Sequence, residues 1–255
     1  MLKKLFQQLI RFFGRLFSSH SKPFEFPKGS KKPPIRPIIF VPGSSASIQR
    51  FNGTIRMLHR YSRKKQSLLK IKVNKDESIE MEGRLNTKEP NPMIVIGFEN
   101  NRDGYSNIKQ QIESLKTAFQ HLLDHYYFTD FRAIGHSNGG LVLTGFLESG
   151  FLEKKKLRLT KLAIIGSPYL FNQDMYEDFQ KWKHRIGKEV QVLNFVGDFA
   201  GKTDGIVPLK SAQAGKKIFN ENCYTEVYLT GRKAHHSALP TNPEFVKQLS
   251  LFLNL

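Results

Sequence analysis

A serine flanked as Gly135-His136-Ser137-Asn138-Gly139 has the neighbours that a nucleophilic alcohol requires. Serine is a poor nucleophile on its own and needs both exposure to substrate and a base within hydrogen-bond reach. A sharp turn between a strand and a helix provides the exposure, and small residues two positions either side leave room for that turn. Here an apolar run ends at Ile134-Gly135 and a helix-forming run, Leu141 to Leu147, follows. The same turn aims the Asn138 N–H at the oxygen that becomes negative during acyl transfer, where the helix N-terminus adds favourable potential.

A serine of this kind is followed along the chain by an acid and then a histidine. Two acids compete, Asp198 at the end of a predicted strand and Asp204 in Thr203-Asp204-Gly205-Ile206-Val207-Pro208. Asp204 is preferred because a strand-end loop held by Gly205 and Pro208 can aim a carboxylate, whereas Asp198 reads as a turn or capping residue. His235 and His236 lie between the last predicted strand and the last helix, and one of them is expected to be the base. His136 sits inside the turn and is expected to pack or line a pocket. The loop after the first core strand, Val41-Pro42-Gly43-Ser44-Ser45-Ala46-Ser47, is expected to offer a second oxyanion donor through the backbone N–H of Ser44 or Ser45. His121 and His125, with Asp124 between them, share a helix side but have no third ligand in view, so a solvated face is expected and no metal or other cofactor is required. Cys223, the single cysteine, excludes an internal disulfide and reads as a packing residue at the start of a strand.

These residues need a scaffold. Short apolar runs at Ile38 to Val41, Met93 to Phe98, Phe131 to Gly135, Leu162 to Ile165, Val190 to Val196 and Glu226 to Leu229 alternate with helical stretches. That order predicts an α/β fold with a mostly parallel sheet covered by helices. Ile108, Ile112, Leu115, Phe119, Leu122 and Tyr126 mark one face of a covering helix, and Asn242-Pro243 starts the last one. Leu69 to Val73 and Ser78 to Glu82 alternate polar and apolar residues, which predicts a hairpin at the sheet edge rather than a buried parallel strand. Ser167 to Gly187, with Tyr169, Phe171, Met175, Tyr176, Phe179 and Trp182, lies where a small cap over the site is inserted; helix packing on the sheet accounts for the same aromatics.

With 255 residues the chain suits one catalytic domain, expected over 37–255. Residues 1–18 carry Leu2, Leu5, Phe6, Leu9, Phe12, Phe13 and Leu16 at helical spacing with basic and polar residues between them. This pattern fits a helix lying in a membrane interface, with a helix packed against the domain or a degenerate signal or anchor segment as the alternatives, and the apolar runs are too short to span a bilayer. Residues 19–36, rich in proline and lysine, read as a tether. The formal charge of +18 favours an anionic surface as partner. The basic run Arg60-Tyr61-Ser62-Arg63-Lys64-Lys65 lacks the aromatic interleaving of an RNA-binding signature, so no nucleic-acid partner is expected and an anionic membrane surface is.

Taken together, Phe40-Val41-Pro42-Gly43-Ser44, Asn91 to Asn101, Gly135 to Gly140, Thr203 to Pro208 and His236-Ser237-Ala238-Leu239 resemble a family of predicted secreted or cell-surface alpha/beta hydrolases of Gram-positive bacteria. The resemblance covers about Pro37 to Leu253. It implies the alpha/beta-hydrolase fold, a location at the membrane or cell surface or in secretion, and a triad of Ser137, Asp204 and His236, favouring His236 over His235. The chain departs from the family in having Pro42 where a histidine often stands and Asn138 where methionine or glutamine is common. The expected activity is hydrolysis of a carboxylic ester with an apolar portion. Acyl transfer or thioester cleavage on the same triad, or a basic membrane-binding adaptor without catalysis, are the alternatives.

Overall fold

The computed structural model describes residues 35–62, 65–199 and 201–255. The amphipathic segment 1–18 and nearly all of the tether lie outside the described residues. Ile35 and Arg36, assigned to the tether from their proline-rich surroundings, already belong to the domain. Ile35 is buried, and Arg36 donates its N–H to Pro90 O at 2.7 Å.

Eight strands form one sheet: β1 (Ile38–Val41), β2 (Leu68–Val73), β3 (Ile79–Gly83), β4 (Met93–Phe98), β5 (Asp130–His136), β6 (Arg158–Ile165), β7 (Gln191–Asp198) and β8 (Tyr224–Thr230). Their order is β3-β2-β4-β1-β5-β6-β7-β8, and every pairing is parallel except β2 with β3. The helices are α1 (Asn52–Ser62), α2 (Tyr105–His125), α3 (Asn138–Glu148), α4 (Phe151–Lys155), α5 (Gln173–Trp182), α6 (Leu209–Gln213) and α7 (Pro243–Leu253). The expected hairpin is present, but β2 is also a buried parallel strand beside β4, which corrects the edge assignment. Leu69, Ile71 and Val73 bury one face of β2, while Lys70 on the other is paired with Glu82 of β3 at 2.9 Å. Alternation along β2 therefore reflects an ion pair with the true edge strand.

The first residues of β6 are Arg158, Leu159, Thr160 and Lys161, polar enough to hide its start from an apolar reading. Arg158 ties to Asp130 at the start of β5 by an ion pair of 2.6 Å. Two apolar layers sandwich the sheet. On one side α2 and α3 pack through Phe119, whose ring meets Phe131 of β5 at 5.0 Å and Phe146 of α3 at 4.7 Å. On the other, α1 and α7 contribute Ile55, Leu58, Phe245 and Leu249. Helix α7 starts as the sequence predicts: Asn242 caps the N–H groups of Glu244 and Phe245, and Pro243 takes the first position, where an N–H would lack a partner. Cys223 lies in a 3-10 turn just before β8 with its thiol 3.5 Å from Lys188 O.

Because the strands run parallel, the loops after β1, β5, β6, β7 and β8 all emerge at one edge of the sheet. Ligands in open α/β sheets bind outside that edge.

Candidate active site

Ser137 sits at the junction of β5 and α3 with φ 54° and ψ −126°, a left-handed backbone that a non-glycine residue adopts only when its surroundings enforce it. The enforcement is visible. Ser137 N donates to Ile165 O at 2.9 Å, and Ser137 O accepts from Gly140 N at 3.0 Å and Ser167 Oγ at 2.8 Å. A Cβ at Gly139 would lie 2.0 Å from Val41 O, and one at Gly135 would lie 2.5 Å from Gly140 N. Both positions are therefore closed to any larger residue, as the turn requires.

Asp204 and His236 meet. His236 Nδ1 donates to Asp204 Oδ2 at 2.6 Å, with both side chains buried. The other carboxylate oxygen, Oδ1, accepts from Ile206 N at 2.9 Å and Val207 N at 2.7 Å, while Asp204 O accepts from His236 N at 2.8 Å. Holding the proton on Nδ1 leaves Nε2 with its lone pair free, the tautomer that a base needs. His236 and Ser137 line the same cavity of about 870 Å³. Their side chains are not hydrogen-bonded to each other in this conformation; catalytic hydrogen bonds often tighten only once substrate is in place. Asp198, the competing acid, accepts Gly201 N at 2.6 Å and shapes a turn. His235 instead packs against Phe199, ring centroids 5.4 Å apart.

The loop after β1 passes directly over the serine: a Cβ on Gly43 would lie 2.6 Å from Ser137 Cβ and 3.2 Å from its Oγ. Of the two candidate donors there, Ser45 is excluded because its N–H is bound to Asn101 O at 3.0 Å. Ser44 N has no acceptor among the described residues. The Asn138 N–H lies in the first turn of α3, where no carbonyl precedes it in the helix. Its side chain donates to Asp103 Oδ1 at 2.8 Å and so is held away from its own N–H.

Three supports were not evident from sequence. Gly166, after β6, has φ 55°, and a Cβ there would come 2.9 Å from Asp204 Oδ2 and 3.3 Å from His236 Nδ1. Its lack of a side chain is what admits the acid–histidine pair. His136 is buried and donates from Nε2 to His236 O at 3.1 Å, fastening the histidine loop to the elbow. Burial, reinforced by the nearby His236 and Arg50, pushes its pKa well below the usual imidazole range, so it remains a neutral strut. Arg50 donates to Ser237 O at 2.7 Å, a link across 187 positions of sequence.

The expected cap segment contributes unevenly. Pro168, Phe171 and Met175 line the cavity, whereas Tyr169 and Phe179 are buried in the core. The His121 and His125 rings pack tilted with centroids 4.3 Å apart, and His125 Nδ1 lies 2.8 Å from His121 O. Among the described residues no group of three metal-ligating side chains occurs there or elsewhere.

Behind the site, Glu148 ends α3 buried, with Oε1 lacking a partner among the described residues. Burial and then Asp178 push its pKa up from 4.5 to about 9, against the opposing pull of Arg185. The folded state thus holds a proton that the unfolded chain releases. The associated stabilisation is complete below pH 4.5 and is lost as pH rises toward about 9. Glu148→Gln should therefore gain stability relative to the wild type as pH increases, by on the order of 1–3 kcal/mol at pH 9. Thermal unfolding of both proteins at pH 5, 7 and 9 checks this, and parallel pH profiles would contradict it.

Fold and site together define an alpha/beta hydrolase. Residues 26–254 match the model of the alpha/beta hydrolase family of unknown function DUF915, and the chain belongs to that family. A crystal structure from Lactobacillus plantarum WCFS1, provisionally described as a cell surface hydrolase, is 38% identical. It aligns over 86% of this chain and 92% of that one with a TM-score of 0.78. The lin2722 gene product of Listeria innocua is 28% identical over 86% and 94% of the two chains, with a TM-score of 0.77. A serine hydrolase of carbazole degradation, CarC, shares the fold at 13% identity, TM-score 0.50, over 87% and 92%. No curated protein sequence matches the chain.

Proposed function

We propose that this hydrolase cleaves carboxylic esters through Ser137, His236 and Asp204. The observation that carries the reading is the buried 2.6 Å contact of Asp204 with His236, opening on the same cavity as a serine held at φ 54°. His236 Nε2 takes the Ser137 proton as Oγ bonds to the acyl carbon. The N–H groups of Asn138 and Ser44 hold the resulting oxyanion. As the tetrahedral centre collapses, the alcohol leaves with the proton from His236. Water then attacks the acyl-enzyme by the same route and frees the acid and Ser137.

Ile108, Leu141, Pro168, Phe171 and Met175 form an apolar wall suited to an acyl chain. Each methylene buried against such a wall contributes about 0.8 kcal/mol, so kcat/KM should rise up to about three- to four-fold per added methylene until the wall is covered. Nitrophenyl esters from acetate to octanoate measure this, and a flat series would contradict an acyl role for the wall. Phe171 and Ile206 are exposed residues of the cavity lining, and the chain carries +18. These features support work at an anionic lipid surface, and the cell-surface description of the Lactobacillus relative supports an extracytoplasmic location. No helix among the described residues is long and apolar enough to cross a membrane.

A further inference from the structure

The cavity has two chemically different sides. Ile108, Leu141 and Met175 belong to the apolar layer on the α2–α3 side of the sheet. Across the site lie Ser44, Ser47, Gln49, Arg50 and Ser237. This polar side is anchored to the opposite layer: Phe51 follows Arg50 and Leu239 lies two residues after Ser237, and both are buried there.

Arg50 is the cation of that polar side, and it has no carboxylate within ion-pair distance among the described residues. Among the described residues its guanidinium makes one hydrogen bond to protein, to Ser237 O, which occupies one of five donors. The one carboxylate among the residues lining the cavity, Asp103, is engaged by the Asn138 side chain. Neighbouring Glu82 is likewise taken, by Lys70 and Gln49. Burial lowers the Arg50 pKa and nothing raises it back, so the guanidinium is partly stripped of water without receiving a counter-charge. A guanidinium remains protonated even then, and its planar fork matches the two oxygens of a carboxylate or phosphate.

The position of Arg50 also says which half of the substrate it meets. It is bonded to the residue next to His236, the group that hands its proton to the departing alcohol. The acyl chain has the apolar wall on the other side. We propose that the substrate is an acyl ester whose alcohol portion bears a carboxylate or phosphate, and that Arg50 binds this anionic group. This rests on the ester-hydrolase reading and deepens it: the leaving alcohol is anionic, and the acid released is apolar.

The test compares kcat/KM for 4-(butanoyloxy)benzoate and for 4-(butanoyloxy)phenyl phosphate with that for the uncharged methyl ester of the first. Phenyl hydrogen glutarate, anionic on the acyl side, serves as the control. Wild type, Arg50→Gln and Arg50→Lys are measured on all four. One charge-assisted hydrogen-bonded contact is worth about 1.5–3 kcal/mol, so Arg50→Gln should lower the ratio of anionic to uncharged alcohol ester by roughly ten-fold or more. Arg50→Lys should retain part of that ratio, the glutarate ester should gain nothing from Arg50, and the better of the two alcohol anions identifies its source. An unchanged ratio in Arg50→Gln overturns the proposal. So does an equal fall for every ester in both variants, which would leave Arg50 a mere brace for the histidine loop. If the wild type turns over none of these esters, the ester-hydrolase reading falls and takes this one with it; turnover without a charge preference overturns this one alone.

Discussion

Replacing Ser137 by alanine should reduce ester turnover by roughly 10⁵- to 10⁶-fold, the loss seen when the nucleophile of a serine triad is removed. Stability should change little. The hydroxyl of Ser137 has no hydrogen-bond partner among the described residues, so no buried group is stranded when it goes. The strained backbone is unaffected as well, because it is held by Ile165 O, Gly140 N and Ser167 Oγ through main-chain atoms of residue 137. Alanine bears the same left-handed φ penalty as serine. A thermal midpoint within a few degrees of wild type, beside the lost activity, separates a chemical defect from a folding one.

Asp204→Asn should lower kcat by roughly 10³- to 10⁴-fold for a reason that can be followed atom by atom. Oδ1 of Asp204 accepts two backbone N–H groups, from Ile206 and Val207, and Oδ2 accepts His236 Nδ1–H. An asparagine has one oxygen to serve both tasks. Turning its oxygen toward the backbone keeps the loop intact and presents an NH₂ to His236, which can then be met only by an unprotonated Nδ1. The proton moves to Nε2, and the base toward Ser137 is gone. Turning it the other way leaves the Ile206 N–H and the buried Val207 N–H facing an NH₂, which costs stability instead. Asp198→Ala is the companion measurement. Among the described residues the Asp198 carboxylate accepts only Gly201 N, in a turn, so kcat should remain within a few-fold of wild type. A collapse of activity there, with Asp204→Asn active, would reverse the assignment of the acid.

The layout of the candidate site is legible in sequence where it depends on short-range pattern. The elbow is local: two glycines, a serine and a strand-to-helix change of period lie within a dozen residues, and the structure places Ser137 at that turn. The acid and histidine follow the same logic, since each occupies a loop at the end of a parallel strand. What remained hidden depends on partners far along the chain. Ser44 and Ser45 are equivalent by composition, and only the acceptor at Asn101 distinguishes their N–H groups. Gly166 is an ordinary glycine until β6 is set beside β7 and the Asp204–His236 pair lies over it. Arg50 acquires its meaning from Ser237. In the fold, β2 was misplaced because Lys70 and Lys72 give it the alternation of an edge, whereas their charges are met by Glu82 and Glu80 of the strand outside it.

In the proposed mechanism Ser137 is a nucleophile activated by His236, which Asp204 orients. Intact-protein mass spectrometry after exposure to a fluorophosphonate tests it most directly. A single adduct should map to the peptide containing Ser137, be absent in Ser137→Ala and form far more slowly in His236→Ala and Asp204→Asn. Labelling that persists in Ser137→Ala, or that proceeds at the wild-type rate without His236, would contradict it.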